Sequence, residues 1–258
     1  MKIVILAGGL GSRLSEETTL KPKPMVEIGG RPILWHIMKH YAACGFNEFV
    51  ICLGYKGYYI KEYFSNYMLH QSDVTINLKD SSFEIHNTQT EDWKVTLVDT
   101  GPNTMTGARV KLIEKYIDGT FMLTYGDGLS DVNANELLKY HRSHGKIGTL
   151  TAIQPSEARF GILDLCDDSH LIKKFTEKPK DENTWINGGF FVFEKEFFKY
   201  LDGDLNLILE RSPFEKLSAK EEFVSYRHKG FWKCMDTLRD KEDLEKLWGT
   251  SAPWKNWK

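Results

Sequence analysis

Three observations predict an α/β fold: a Rossmann-like, mixed and mostly parallel sheet flanked by helices, with small antiparallel inserts. A continuous β-branched run, residues 3–7, opens the chain and stops at Gly8-Gly9. Apolar strands then alternate with amphipathic helical stretches. Only between residues 74 and 98 does the apolar period drop to two.

Each element has a local reason. The opening run has no polar face, as expected of a strand covered on both sides. Residues 31–44 place Ile33, Leu34, Ile37, Met38 and Tyr41 at helical spacing, with Pro32 where a first turn tolerates it and Gly45 as the stop. Residues 48–53 read as a second strand and 57–64 as a second helix. Val74, Ile76 and Leu78 alternate, as do Phe83 with Ile85 and Val95 with Leu97, which predicts antiparallel strands beside the main sheet. Residues 107–115 and 133–144 are expected to be helical. Residues 121–125, 149–154 and 190–193 are expected to be strands, the first running straight into Gly126-Asp127-Gly128.

The 258 residues match one large domain, given about 150 residues per domain, and carry no internal repeat or linker. With 34 basic against 36 acidic residues the net charge is −2, which gives no basic face for nucleic acid. Cys44, Cys52, Cys166 and Cys234 form no CxxC pair, so reduced, apolar cysteines are expected in place of a disulfide framework or zinc site. No apolar stretch is long enough to span a bilayer, and the N-terminal run is too short for a secretory signal. A cytoplasmic protein without membrane contact is expected. His36, His40, His141 and His144 lie at helical spacing but lack an HExxH or a third ligand, and read as core or surface histidines.

The strongest feature is Gly8-Gly9-Leu10-Gly11-Ser12-Arg13-Leu14, directly after the first strand. Glycines allow close backbone approach and positive φ, so that successive N–H groups can point at phosphate oxygens. The dinucleotide fingerprint fails, since Leu14 stands where its third glycine belongs, and no Gly-Lys-Ser/Thr follows for a P-loop. Arg13 and the stiff segment Lys21-Pro22-Lys23-Pro24 add cations. Two apart in an extended backbone, Lys21 and Lys23 point to opposite sides, so one of them can face the glycine turn. Asp127 stands just past the carboxyl end of a buried strand, where ligands gather in open α/β sheets. Magnesium takes carboxylate, phosphate and water oxygens, and Asp127 suits it, with Asp131 as a competitor in the same loop.

The run 7–14, with Lys-Pro-Lys-Pro-Met-Val downstream, resembles the signature of the sugar-1-phosphate nucleotidylyltransferases, and the likeness continues along essentially the whole chain. Residues 24–30, 125–132 and 235–241 are most similar to the branch that uses CTP and glucose 1-phosphate; Ser15-Glu16-Glu17-Thr18 departs from the thymidylyl and uridylyl pattern. The resemblance implies the fold of nucleotide-diphospho-sugar transferases and direct attack of the sugar phosphate on the α-phosphorus of the nucleotide. It implies Arg13 and Lys23 as catalytic residues, Lys23 being preferred to Lys21 on the family pattern alone. Leu6, Ala7, Gly8, Gly9, Gly11, Ser12, Thr106, Gly107, Arg109 and Asp127 would complete the nucleotide site, Arg109 reaching the base or a phosphate. Asp127 and Asp236 would hold Mg2+. Lys178 would hold the sugar phosphate and Glu177 the sugar, with Asn187, Gly188 and Gly161 around the hexose. In this division residues 1–130 mainly bind nucleotide, 131–240 mainly bind sugar phosphate, and 240–258 form a C-terminal helix and tail.

The resemblance also implies a homo-oligomer, a hexamer being one candidate. Trp248, Trp254 and Trp257 would either cap the core or pack on a second copy, and in the second case deletion after Gly249 should lower the mass in solution. The runner-up functions are a uridylyl- or thymidylyltransferase and a catalytically silent nucleotide-sugar sensor. No hexapeptide repeat accompanies the domain, so no appended β-helix is expected.

Overall fold

The computed structural model describes residues 1–154, 162–165, 172–176 and 185–257. Strand β1 (Lys2–Ala7) lies inside a nine-stranded sheet, and Ile3, Val4 and Ile5 have no accessible surface, which is why the run carries no polar face. Helix α1 (Ile33–Ala43) returns the chain to β2 (Glu48–Leu53), parallel to β1 with Ile3 opposite Phe49. Helix α2 (Gly57–Ser65) leads into a separate hairpin, Ser72–Asn77 with Ser82–Thr88. The chain rejoins the sheet as β3 (Lys94–Asp99), parallel to β2. The antiparallel expectation therefore holds for the hairpin and fails for β3. As the outermost strand on that side, β3 is only half covered, and a half-covered parallel strand shows the same two-residue alternation.

Helix α3 (Thr106–Leu112) then crosses to β4 (Phe121–Tyr125), which pairs in parallel with β1 on the flank opposite β2. The order β3-β2-β1-β4 reverses at β1, so a crevice opens between the carboxyl ends of β1 and β4. The glycine turn and Asp127 both leave the sheet there.

The second half is α4 (Ala134–His144), β5 (Gly148–Ile153), β6 (Ile162–Leu165), β7 (Ile172–Thr176), β8 (Trp185–Phe193), α5 (Ser212–Ala219), β9 (Phe223–His228) and α6 (Leu238–Trp248). Strand β8 joins β4 antiparallel; β5 pairs β8 antiparallel and β9 parallel, and β6 pairs both β7 and β8 antiparallel. The expected strand at 190–193 thus reaches back to Trp185, bending where Gly189 takes φ +78° and the facing β5 shifts register between Leu150 and Ala152. A short antiparallel pair, Gly128–Ser130 with Trp232–Cys234, stands beside the crevice.

Each sheet face buries its own core. Leu34, Met38, Leu137, Leu244 and Trp254 belong to one; Phe191, Phe193, Phe197, Phe214 and Phe223 belong to the other. Trp254 has no accessible surface and stacks on Phe231 and Trp248. The tail therefore caps the core of its own chain, and its deletion would expose that core before it could report on association. Cys44, Cys52 and Cys234 are free thiols, and Cys166 lies outside the described residues.

Candidate active site

The glycine turn is held by groups far away in the chain. The Gly8 carbonyl accepts from the Tyr55 amide at 3.1 Å and from Arg109 Nη2 at 3.0 Å. Gly11, at φ +63°, turns the chain into a single 3-10 turn, Ser12–Leu14. Lys23 and Lys21 do face opposite ways: Lys21 pairs with Glu27 at 2.9 Å, while Lys23 points into the crevice. Pro22 is extended, but Lys23 begins a 3-10 turn through Met25, so the segment is not extended throughout.

Lys23 Nζ lies 2.5 Å from Asp127 Oδ2 and 2.6 Å from Asp236 Oδ1. Arg13 Nη1 lies 2.9 Å from Asp236 Oδ2. The short antiparallel pair brings the two carboxylates together: it aligns Cys234 with Gly128, and the Met235 amide donates to the Asp127 carbonyl at 2.8 Å. Immediately beyond, Thr237 and Asp240 form a capping box that starts α6 and fixes the backbone after Asp236. Burial alone would lower the Lys23 pKa, but the charges and hydrogen bonds of Asp127 and Asp236 outweigh it and raise it above that of ordinary lysine. Burial would raise the Asp236 pKa; Lys23, then Arg13, bring it below the usual carboxylate range.

The donor chemistry fits a divalent cation. Two carboxylate oxygens converge on one cationic centre, the Lys23 ammonium, in the lining of the crevice, and Mg2+ takes one or two carboxylates plus phosphate and water. No group of three or more His, Cys, Asp and Glu that could hold a metal occurs among the described residues. Asp131 is placed elsewhere. It pairs with His228 at 2.8 Å and does not line the crevice, whereas Asp127 does.

The crevice encloses about 440 Å³, within the range of small-molecule sites. Leu6, Ala7, Gly8, Gly9, Gly11, Ser12, Arg13, Lys23, Thr106, Arg109, Asp127 and Asp236 all line it, as do Asn187 and Gly188. Gly161, Glu177 and Lys178 lie outside the described residues.

Two expected base contacts are engaged otherwise. Gly107 does not line the crevice; a Cβ there would fall 2.9 Å from Leu207, so this glycine serves close packing. Arg109 is 4% exposed and donates to the carbonyls of Leu53, Gly101, Gly8 and Pro102 and to Thr100 Oγ1. Its guanidinium ties the glycine turn to the ends of β2 and β3, and both Nη groups are engaged within the protein. Thr106 Oγ1 donates to Glu210 at 2.8 Å and accepts from the Leu209 amide at 2.9 Å.

Tyr125, Trp232 and Cys234 also line the crevice, unforeseen from sequence. Trp232 Nε1 donates to the Gly188 carbonyl at 2.6 Å. Tyr125 accepts from Asn187 Nδ2 at 3.0 Å and donates to Glu210. Its position at the carboxyl end of β4, one residue before Gly126, was the available signal. Burial, then the Asp127 and Asp236 charges, push the Cys234 thiol up, so it stays protonated. His36, His40 and His141 are buried and His144 half-buried, each hydrogen-bonded within the protein.

A profile of the nucleotidyl transferase family matches residues 2–237. The glucose-1-phosphate cytidylyltransferases of Salmonella typhi and Salmonella typhimurium are each 52% identical over 260 residues, covering 100% of this chain and 100% of theirs. The crystal structure of HddC from Yersinia pseudotuberculosis superposes with a TM-score of 0.76 at 22% identity, covering 96% of this chain and 99% of that one, a likeness of fold. With the switch-point crevice, the glycine turn and the full-length match in agreement, the chain belongs to the nucleotidyl transferase family.

Proposed function

We propose that the crevice transfers the cytidylyl group of CTP to glucose 1-phosphate, giving CDP-glucose and pyrophosphate. The protein is an enzyme, a nucleotidyltransferase, and its full-length relatives at 52% identity are glucose-1-phosphate cytidylyltransferases. The observation that carries the residue assignment is the cluster of Lys23, Arg13, Asp127 and Asp236 at the switch point. Direct transfer needs no covalent enzyme intermediate: an oxygen of glucose 1-phosphate attacks the α-phosphorus and pyrophosphate leaves in line. The protein's work is then positioning and charge neutralisation. The glycine-turn amides and Ser12 cradle phosphate oxygens. Lys23 and Arg13 offset the charge that develops on the transferred phosphoryl and on pyrophosphate. Asp127 and Asp236 would hold Mg2+, which when bound neutralises phosphate charge. Lys178 and Glu177 take the sugar phosphate and the hexose on the family pattern, beside Gly161, Asn187 and Gly188.

In this reading residues 1–130 mainly serve the nucleotide, 131–240 the sugar phosphate, and 240–258 close the core, in a cytoplasmic enzyme. Association into a homo-oligomer belongs to the same reading. Its support is the isolated hairpin, which exposes Ile76, Leu78, Phe83 and Ile85 although a two-stranded ribbon has little stability of its own.

Pyrophosphate release measured with glucose 1-phosphate and each of CTP, UTP and dTTP, with and without Mg2+, tests the reading. Turnover is expected with CTP and Mg2+. Equal turnover with UTP or dTTP would sink the base assignment, and binding without turnover would favour a sensor. Lys23→Ala and Asp127→Ala should each lower kcat by roughly 10²–10³-fold with unchanged circular dichroism; near-normal kcat in either would remove that residue from the mechanism.

A further inference from the structure

Glu210 touches no part of the crevice, yet both of its carboxylate oxygens are spent on residues that line it. Oε1 accepts the hydroxyl proton of Tyr125, and Oε2 accepts that of Thr106 at 2.8 Å. No lysine, arginine or histidine lies within ion-pair distance of this carboxylate among the described residues, so its hydrogen-bonding capacity goes to two hydroxyls. Charge-assisted O–H···O⁻ bonds are about twice as strong as neutral ones.

The segment that carries Glu210 is bound along the start of α3. Leu205 and Leu207 accept from the amides of Met105 and Ala108, at 2.8 and 3.1 Å, and the Leu209 amide donates to Thr106 Oγ1. Glu210 is thus held on the nucleotide side of the crevice and reaches across to the sugar side through Tyr125.

The chain of bonds has a direction on which its two ends agree: the Glu210 carboxylate accepts at one end, and the Gly189 amide, which can only donate, holds the Asn187 carbonyl oxygen at the other. An ionised carboxylate only accepts, so Tyr125 must donate to it. Having given away its one proton, the Tyr125 oxygen can only accept from the next neighbour, so the amide nitrogen of Asn187 turns towards it, at 3.0 Å. The Asn187 carbonyl oxygen then faces the Gly189 amide, which donates to it at 2.8 Å. Among the described residues no other partner takes the second amide N–H or the second lone pair of Asn187. We infer that Glu210 is a positioning residue for both substrates: its charge holds the Tyr125 hydroxyl in the direction that lets it accept from Asn187 on the sugar side, and it anchors the Thr106 wall of the nucleotide side. The inference rests on the CTP and glucose 1-phosphate reading of the crevice.

Steady-state kinetics of Glu210→Gln, Tyr125→Phe and Thr106→Val, with Tm measured in parallel, separate the possibilities. Glutamine keeps the shape but offers one acceptor oxygen and one NH2 group, so one of the two hydroxyl bonds is lost or reversed. Glu210→Gln is expected to raise KM for both CTP and glucose 1-phosphate by roughly tenfold, with kcat within about threefold of wild type. Tyr125→Phe should raise KM mainly for glucose 1-phosphate and Thr106→Val mainly for CTP. The inference is overturned if Glu210→Gln leaves both KM values within about twofold, even with a lowered Tm, which would mark a purely structural residue. A tenfold loss of kcat at unchanged KM would overturn it as well, since Glu210 would then act on the chemical step. A wild-type protein that releases no pyrophosphate from CTP and glucose 1-phosphate would overturn the reading of the activity, and this inference with it.

Discussion

Gly8 and Gly9 are neighbours with opposite constraints. A Cβ on Gly8 would fall 2.3 Å from Arg109 Cζ, whereas one on Gly9 would meet nothing within 4 Å. Gly8→Ala must therefore displace a buried guanidinium that binds four carbonyls, at an expected cost of about 2–4 kcal/mol. Gly9→Ala should leave Tm within about 1 °C and instead raise KM for CTP, because the methyl group stands only where a ligand would be. Thermal melts and initial-rate kinetics on the two variants check this; equal losses of Tm would refute the distinction. Both glycines were visible as a motif. Which of them the fold itself requires was not, because Arg109 is a hundred residues away and a sequence motif does not say whether a guanidinium faces ligand or protein.

At the level of elements, α1 carries His36 into an aromatic cage of Trp35, Trp248 and Trp254, where its Nε2 meets the Ile28 carbonyl at 2.8 Å. Burial, only partly opposed by that hydrogen bond, lowers its pKa from 6.5 to about 4. The unfolded chain then takes up a proton first as pH falls. His36 contributes its stabilisation fully above pH 6.5 and loses it progressively between about 6.5 and 4, by on the order of 3 kcal/mol. His40, His141 and His144 shift in the same direction through burial. Tm should accordingly fall over that window, and His36→Gln should flatten the fall; parallel slopes for wild type and variant would refute the assignment. The tail that completes the cage should be just as costly to disturb. Trp254→Ala is expected to lose about 3–5 kcal/mol in urea unfolding, and a loss below about 1 kcal/mol would mean that the tail does not cap the core. The helical spacing of α1 was plain in the sequence. The short pair Gly128–Ser130 with Trp232–Cys234 was not, since three residues carry no period to read, yet it is this pair that joins Asp127 to Asp236.

For the molecule as a whole, the sheet is parallel from β3 to β4 and becomes mixed beyond it, starting with the antiparallel β4–β8 pairing, and the crevice lies where the first arrangement gives way to the second. The hairpin Ser72–Asn77 with Ser82–Thr88 stands apart from both cores, with Leu78 87% exposed. If copies of the chain associate through it, light scattering should give a multiple of 29.8 kDa for wild type and a smaller mass for Leu78→Lys/Phe83→Lys, with far-UV circular dichroism unchanged. A monomeric wild type would refute the homo-oligomer.

Sequence by itself determined the strands and helices of the nucleotide half, the glycine turn after β1, and the basic and acidic residues available to the crevice. These are properties of near neighbours, written in periodicity, in glycine and proline, and in short spacings. Tertiary structure alone decided that β3 runs parallel, that Arg109 clamps the glycine turn, and that Glu210 stands behind Tyr125 and Thr106. It alone set the Lys23 ammonium between Asp127, 104 positions away, and Asp236, 213 positions away. Such contacts depend on strand order and on which side chains meet across it, and no local pattern in the chain encodes either.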